Sequence, residues 1–232
     1  MRKIDTRRAR RATRTTSREI NESILLNLVR EHQPISRAEL ARRMKITPAT
    51  VSMLVSELLE SGALVEGATG QAARGRKPVM LHIRTHDRYV VAVDVRLSRT
   101  TIMLSDFSGR PLAMESFSTQ PEPEALVQEL AERIPRMLTV NGVKEYEGVG
   151  LVVPGMVDRH AGLLLNSPQL GWRDVPLRQA LTDALGGVRV MLENAPIACA
   201  LAHLWLNPRS REGNQNFVYV AISDGVGAGV VV

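Results

Sequence analysis

The stretch SRAELARRMKITPATVS, residues 36–52, decides the fold of the first third of this chain. Ser36 can cap a helix, and Glu39 three residues later completes a capping-box pattern, which predicts a helix over residues 36–44. Thr47 followed by Pro48 is an N-cap with proline at the first helical position, so a further helix begins there. Because only a few residues separate the two helices, the stretch predicts a helix-turn-helix.

The flanking sequence extends this motif to a winged helix-turn-helix over residues 18–86. A helix is predicted over residues 18–31, because one apolar stripe recurs there at helical spacing. Gly62 ends the third helix, and residues 63–66 and 79–83 read as two strands of a hairpin joined by a Gly-rich basic loop. The stripe consists of Ile20, Ile24, Leu25, Leu28 and Val29.

The third helix should present its N-terminal residues to DNA bases, as the second helix of such a motif does in the major groove. Its apolar positions are expected to face inward, which leaves small or neutral side chains facing outward and allows close approach to thymine methyl groups. Alternatively, Thr47 caps the helix for stability alone. Arg37 is expected at a DNA phosphate or in solvent. The expected inward residues are Val51, Leu54, Val55 and Leu58, and the expected DNA contacts are Thr47, Pro48, Ala49, Thr50, Ser52 and Met53.

The loop of the hairpin contains Arg74, Gly75, Arg76 and Lys77, followed by proline. Glycine and proline keep this run narrow and extended, so its arginines can enter the minor groove of A·T-rich DNA, where the potential is most negative. The alternative is a solvated hairpin tip.

Charge is concentrated at the N-terminal end. The net charge is +6, but residues 1–88 hold 18 Lys and Arg against 9 Asp and Glu, whereas residues 89–232 hold 12 against 15. Residues 1–17 are expected to be a disordered basic arm able to dock on DNA phosphates. Aromatic residues make up only 3% of the chain, so a stacking platform for single-stranded nucleic acid is not expected.

Residues 87–232 predict a second domain of mixed helices and strands. Three successive strands are followed by alternating helices and strands, which is typical of an α/β sheet domain. The predicted strands are 89–95, 100–105, 111–117, 147–153, 163–165, 188–192, 217–222 and 228–232, and the predicted helices are 121–140, 175–185 and 196–206.

Composition argues against several classes of protein. Cys199 is the only cysteine, so neither an internal disulfide nor a thiolate zinc cluster is expected. No apolar run is long enough for a transmembrane helix, and no secretory signal is present. We therefore expect no metal site and no membrane partner, and a cytoplasmic location, on the bacterial nucleoid when the protein is bound to DNA.

Several spaced motifs resemble those of the ROK family (repressors, open reading frames and sugar kinases). They are SRAELA (36–41), TPATVS (47–52), GRKP (75–78), VVPGMVD (152–158), NSPQLGW (166–172), EN (193–194) and SDGVGAG (223–229). The resemblance implies an actin-like (ribonuclease-H-like) ATPase fold for the second domain, a small sugar or sugar-phosphate effector, and repression of carbohydrate genes. Because family members continue past the last motif, the fold is expected to be incomplete and to lack the family's zinc motif.

Two departures from the family argue against kinase activity. Ala195 stands where family kinases place the aspartate that takes a proton from the sugar, and alanine cannot act as a general base. Residues 95–99, after Asp94, contain no glycine to wrap a phosphate. We therefore expect no catalytic residue and no cofactor. The Gly-rich run 223–229 is either a remnant of a phosphate loop or a β-hairpin turn, and the hairpin is the favoured interpretation.

The resemblance places Asn166 and Asn194 at a sugar, and amides suit this role because they both donate and accept hydrogen bonds. Glu193 and Asp158 are weaker candidates. Alternatively, these residues serve as turns or caps. His203 is expected at the surface.

Three functions remain open. The leading one is a sugar-responsive repressor that binds double-stranded DNA at an A·T-rich palindromic operator as a homodimer or higher homo-oligomer. The second is a truncated DNA-binding fragment without sugar response, suggested by an end inside the apolar strand 229–232. The third is a sugar kinase.

Overall fold

A computed structural model describes residues 14–69, 78–85, 87–206, 216–223 and 225–232. The chain divides into two compact units, Met1–Arg84 and Thr85–Val232. This division lies two residues before the expected boundary after residue 86.

The first unit contains three helices and a three-stranded antiparallel sheet in the order β1-β3-β2. Its elements are α1 (Arg14–His32), β1 (Ile35–Ser36), α2 (Arg37–Met44), α3 (Pro48–Glu60), β2 (Leu64–Thr69) and β3 (Val79–Ile83). The predicted helices and the hairpin are therefore present. The short strand β1, which pairs Ile35 with Leu81, was not predicted.

Helix α1 begins at Arg14, so it takes in residues 14–17 of the arm that was expected to be disordered. Arg18, directly after these residues, is held by two carboxylates: its guanidinium pairs with Glu22 one turn along at 3.2 Å and with Glu57 of α3 at 2.7 Å. The hydrogen bond to Glu22, followed by the charge of Glu57, raises the pKa of Arg18. Residues 1–13 of the arm lie outside the described residues.

The stripe predicted on α1 is only partly inward. Leu25 and Val29 are fully buried, whereas Ile20 and Ile24 are 53% and 43% exposed. The stripe predicts the helix correctly but does not bury these two isoleucines, because they lie roughly 100–140° around the helix axis from Leu25 at 3.6 residues per turn. Leu25 and Val29 belong to the same apolar core as residues of α2, α3 and β3.

The second unit is built on a five-stranded sheet in the order β11-β7-β4-β5-β6, in which β11, β7 and β4 are parallel and β5 and β6 antiparallel. Beside it are a three-stranded sheet, β10-β9-β8, and a two-stranded hairpin, β12-β13. The strands are β4 (Tyr89–Val95), β5 (Arg99–Asp106), β6 (Pro111–Ser118), β7 (Val149–Val153), β8 (Met156–Asp158), β9 (Leu163–Ser167), β10 (Trp172–Val175), β11 (Val190–Asn194), β12 (Phe217–Ile222) and β13 (Val226–Val231). The helices are α4 (Pro123–Val140), α5 (Leu177–Ala184) and α6 (Ala195–Leu206).

The predicted α/β order is present, with differences at short elements. Strands β8 and β10 were not predicted. Val175 ends β10 and does not begin a helix, because Pro176 separates it from α5. Helix α4 buries Leu126, Leu130 and Ile134 in the same core as alternate residues of the sheet, which matches the 3.6-residue and 2-residue periods of the two elements.

A single arginine of α5 holds the turn between β8 and β9. The guanidinium of Arg178 donates to the carbonyls of Arg159, His160 and Ala161 at 3.1, 3.1 and 2.9 Å. Asp158 accepts the backbone N–H groups of His160 and Ala161, both at 2.9 Å. The turn is therefore bonded both to its own strand and to a helix.

Among the helices of the described ranges, none is long and apolar enough to cross a bilayer.

Candidate nucleic-acid interface and effector site

The start of α3 is fixed by local hydrogen bonds. The side chain of Thr47 accepts the N–H of Thr50 at 3.2 Å, and the two hydroxyls are 2.8 Å apart. Lys45, at the end of α2, adopts a left-handed conformation (φ 55°) and donates its backbone N–H to Ala41. These contacts set the turn of the helix-turn-helix and hold the first turn of α3 in one orientation.

The structure confirms the prediction of which residues of α3 face the core and which face outward. The four inward residues are buried, and the outward side chains are exposed apart from Thr50, which is half-buried. Met53 is the largest of the outward group and is 50% exposed. The surface at the start of α3 is therefore uncharged and open to a partner, whereas DNA contact by these residues stays a prediction.

The basic side chains of α2 are partly neutralised. Ser36 accepts the N–H of Glu39 at 3.2 Å, as the capping box predicts. The carboxylate of Glu39 bonds to Arg42 and Arg43 at 2.6 and 2.8 Å. Arg37, expected at a phosphate or in solvent, bonds to Glu66 of β2 at 2.9 Å. Each of these arginines therefore already has a carboxylate partner, and contact of Arg37 with DNA stays a prediction.

The minor-groove prediction falls on Arg74, Gly75, Arg76 and Lys77, all of which lie outside the described residues. The strands that flank this loop are paired in antiparallel register, with Glu66 opposite Leu81. The hairpin that would carry the loop is present, and its role on DNA stays a prediction.

The structure brings Asn194 and the backbone of Asn166 to Gly155. Asn194 ends β11 beside Val153, which ends the parallel strand β7. The side-chain amide of Asn194 donates to the carbonyl of Gly155. Gly155 has φ +110°, and a Cβ there would lie 2.3 Å from the carbonyl oxygen of Asn166, so only glycine fits.

Glu193 is directed toward the backbone of its neighbour. Its Oε1 accepts the N–H of Asn194 at 2.9 Å. Asp158 is engaged in the turn described above, and its pKa is lowered first by the N–H of Ala161 and also by that of His160. These bonds fit the alternative that both carboxylates serve backbone geometry. His203 is exposed, as expected, and its ring meets the edge of Phe217 at 5.1 Å between centroids.

Two polar atoms near this cluster were not singled out from the sequence. The hydroxyl of Ser167 and Oε1 of Gln169 are buried and have no hydrogen-bond partner within the described structure. A buried polar atom without a partner is costly, so these two atoms stand out within the segment, but they have almost no accessible surface through which a ligand could reach them. Both residues lie inside the NSPQLGW segment, but their burial has no signature in the sequence.

The turn after β4 lacks the features of a phosphate loop. Arg96 bonds to Asp94 at 2.8 Å through its side chain and to the carbonyl of Arg99 at 3.0 Å through its backbone N–H. The result is a tight β4–β5 turn in which a guanidinium lies beside the aspartate. Ala195 is the first residue of α6 and has no group that could accept a proton.

The Gly-rich run forms the β12–β13 hairpin, which agrees with the favoured interpretation. A Cβ at Gly227 would lie 2.6 Å from Cγ of Pro196, and one at Gly229 would lie 2.6 Å from the carbonyl oxygen of Pro196. These glycines therefore let β13 approach α6 closely.

Among the described residues, no three His, Cys, Asp or Glu side chains lie close enough together to serve as metal ligands. The expected absence of a metal stays a prediction.

Two family models match the chain. The ROK family model matches residues 90–232, which is more than half of the chain, and a MarR family model matches residues 17–75. The second match fits the winged helix-turn-helix of the first unit.

Curated relatives match nearly the whole chain. The xylose repressor of Bacillus subtilis is 28% identical over 225 residues, covering 95% of this chain and 57% of the relative. The dual regulator NagC of Escherichia coli is 25% identical over 222 residues, covering 92% of this chain and 53% of the relative. The chain thus spans about half the length of the curated relatives it matches.

Solved structures confirm the fold. A ROK family transcriptional regulator, described as a homologue of the E. coli MLC protein, superposes with a TM-score of 0.80 at 23% identity over 93% of this chain and 55% of that one. A ROK hexokinase from Thermus thermophilus has a TM-score of 0.52 and 32% identity, covering 62% of this chain and 47% of that one. The actin-like fold predicted for the second unit is thereby confirmed, and the chain belongs to the ROK family, with a MarR-like winged helix-turn-helix ahead of its ROK domain.

Proposed function

We propose that this protein is a transcriptional repressor of carbohydrate genes that binds double-stranded DNA through its first unit and responds to a sugar or sugar phosphate through its second. The capped and exposed start of α3 is the observation that carries the DNA-binding half of the proposal. The names of the repressor relatives support the carbohydrate half. We place the protein in the cytoplasm, on the bacterial nucleoid when it is bound to DNA.

The finer proposal is an A·T-rich palindromic operator bound by a homodimer or higher homo-oligomer. Two first units on one duplex would read two half-sites related by the symmetry of the dimer. Arg74 and Arg76 would enter the minor groove, where a narrow A·T-rich sequence attracts guanidinium groups. A variant with Arg76→Ala should then lose more affinity for A·T-rich sites than for G·C-rich ones.

A kinase is the second candidate, because a ROK hexokinase is 32% identical over 62% of this chain. The residues argue against it. Ala195 cannot take a proton from a sugar hydroxyl, and the Arg96–Asp94 pair occupies the first turn. The Ala195→Asp variant should still fail to phosphorylate sugars, and measurable phosphorylation would show that the remaining machinery is intact.

The test of DNA binding is selection of bound duplexes from a random pool, followed by affinity measurement on the enriched site. Ser52→Asp places a carboxylate on the outward side of α3 and should weaken binding by about ten- to a hundredfold, the value of one or two base contacts. Ser118→Asp, at an exposed position of β6, makes the same charge change and should leave affinity unaltered. Equal loss in both variants would contradict the proposal.

The test of sugar response adds D-xylose or N-acetylglucosamine to the complex with the enriched site. A repressor of the proposed kind loses DNA affinity with one of these sugars or its phosphate. Specific DNA binding without any sugar effect would instead favour the DNA-binding fragment. The shift in DNA affinity can be no larger than the difference in the sugar's affinity for the two conformations.

A further inference from the structure

A groove in the first unit lies between the end of α1, the outer side of α2 and the start of β3. Its volume is about 420 Å³, and it is open to solvent. Four titratable side chains line this groove: His32 of α1, and Glu39, Arg42 and Arg43 of α2. None of the four belongs to the surface at the start of α3, so the proposed contacts with DNA bases leave the groove without a role.

The carboxylate of Glu39 holds both arginines of the groove. Its Oε1 accepts a hydrogen bond from Nε of Arg43 at 2.8 Å, and its Oε2 lies 2.6 Å from Nη2 of Arg42. A further nitrogen of Arg43, Nη1, is 3.0 Å from Nε2 of His32. Because a guanidinium can only donate, Nε2 of His32 accepts this bond, and the ring is neutral with its proton on Nδ1.

The groove has positive charge in excess and N–H donors to spare. Two guanidinium groups face one carboxylate, so one positive charge is not neutralised within the groove. A guanidinium has five N–H groups, and the bonds to Glu39 and His32 use only two of those of Arg43. Glu31, whose carboxylate lies 4.0 Å from Nε2 of His32, is itself 3.9 Å from Arg30.

These donors suit a phosphate group. A guanidinium binds phosphate through two parallel hydrogen bonds, and one that is already held in place loses little freedom on binding. Arg43 is held from two sides, by Glu39 and by His32. If His32 takes up a proton together with the ligand, Nε2 also becomes a donor, and the N–H of Arg43 that it accepted is released for the phosphate.

We propose that Arg43, together with Arg42 and His32, binds a phosphate group in this groove. The phosphate comes either from a small molecule in solution or from the DNA backbone. In the second case the inference deepens the proposed function and rests on it, whereas in the first it is independent of DNA. The experiment therefore has one arm for each source.

Inorganic phosphate is the probe of the first arm, in which the full chain is titrated without DNA and its NMR signals are followed. The signals of His32 should shift and reach saturation. Arg43→Gln should raise the dissociation constant at least about tenfold, because it removes a cation that can form two hydrogen bonds to the phosphate. Glu39→Gln should instead lower the dissociation constant about fourfold, which corresponds to the Coulomb repulsion of two unit charges about 5 Å apart in water.

The opposite signs of these two effects separate binding from a structural role, because a groove that is merely loosened by a substitution does not bind phosphate more tightly. Arg189→Gln is the matched control. It makes the same charge change as Arg43→Gln at an exposed arginine before β11, in the second unit, and should bind phosphate like the wild type.

The second arm measures how the affinity for the enriched duplex depends on salt concentration. If the groove binds a backbone phosphate, Arg43→Gln should reduce the slope of log K against log salt by about 0.9, the value of one phosphate contact. Arg189→Gln should leave the slope unchanged. A wild type that binds no duplex would contradict the proposed function and leave the first arm to decide this inference.

The two arms together identify the source of the phosphate. Saturable binding of inorganic phosphate with an unchanged slope would assign the groove to a phosphate in solution. A reduced slope without a response to inorganic phosphate would assign it to the DNA backbone. A wild type without a phosphate response, together with a slope that Arg43→Gln leaves unchanged, would overturn the inference. So would phosphate binding that Arg43→Gln leaves intact or that Glu39→Gln weakens.

Discussion

Replacing two adjacent residues of α1 by alanine should have very different effects on the first unit. Leu25 is fully buried, whereas the neighbouring Ile24 is 43% exposed. For a buried leucine the loss of transfer free energy and the cavity left behind cost about 2.7–5 kcal/mol. For Ile24, a little over half of the side chain is withdrawn from water, and alanine is the better helix former, so the net cost should be about 1 kcal/mol or less.

The assay is urea unfolding followed by two signals. Both tryptophans, Trp172 and Trp205, lie in the second unit, so their fluorescence reports that unit alone. Circular dichroism at the helical minimum reports the helix content of both units. A loss of helix that occurs without a change in fluorescence therefore reports the unfolding of the first unit. Leu25→Ala should lower the free energy of unfolding of the first unit by at least about 2 kcal/mol more than Ile24→Ala, with an unchanged fluorescence transition.

Equal destabilisation by the two variants would refute the reasoning. It would mean that Ile24 is buried in solution and that α1 turns its whole stripe inward, as its periodicity alone suggests. A thermal version gives the same test, because each kcal/mol moves the melting temperature of a unit this size by about 4–8 °C.

Thr47→Ala should destabilise the first unit by about 1 kcal/mol in urea unfolding, because Thr50 loses the acceptor for its N–H; no change would mean that the cap is not formed in solution. Gly229→Ala should cost about 1–3 kcal/mol in the second unit, because its Cβ would meet Pro196, whereas Gly150→Ala in open space should be neutral by the same assay. Arg88→Met removes the hydrogen bond that lowers the pKa of Glu147, so the stability lost in the variant should be largest at pH 7 and should shrink as the pH falls from the ordinary glutamate pKa, about 4.3, through the lowered pKa of the folded protein; a loss that is the same at pH 7 and at acid pH would exclude this carboxylate as its source.

The features predicted correctly from the sequence are those that depend on interactions between residues close together in the chain. The caps at Ser36 and Thr47 accept bonds from residues three positions on, so short motifs reveal both helix starts. The strands of the second unit alternate or run apolar, and their limits lie within a few residues of the predicted ones. Strands β1, β8 and β10 were missed because they are only two to four residues long, too short for an alternating pattern, and are defined by their pairing with β3 or β9.

The residues of the candidate site divide in the same way, into those that a sequence pattern reveals and those that depend on tertiary packing. Asn166 and Asn194 were placed near a sugar through the resemblance to a family, and the structure brings the side chain of Asn194 and the backbone of Asn166 to Gly155. The burial of Ser167 and Gln169 depends on how β9 and the following turn pack, which no local pattern encodes. The bond between Arg37 and Glu66, which lie 29 residues apart, is likewise set by tertiary structure.

The turn held by Arg178 should be as slow to open as a helix. Ordinarily, amide protons in a surface turn exchange with solvent through small local fluctuations. Here the N–H groups of His160 and Ala161 are bonded to Asp158, that of Gly162 to the carbonyl of Asp158, and the carbonyls around them to α5. Deuterium uptake in the turn should therefore follow the opening of α5, so that these two pieces of chain behave as one cooperative unit although they are separate in sequence.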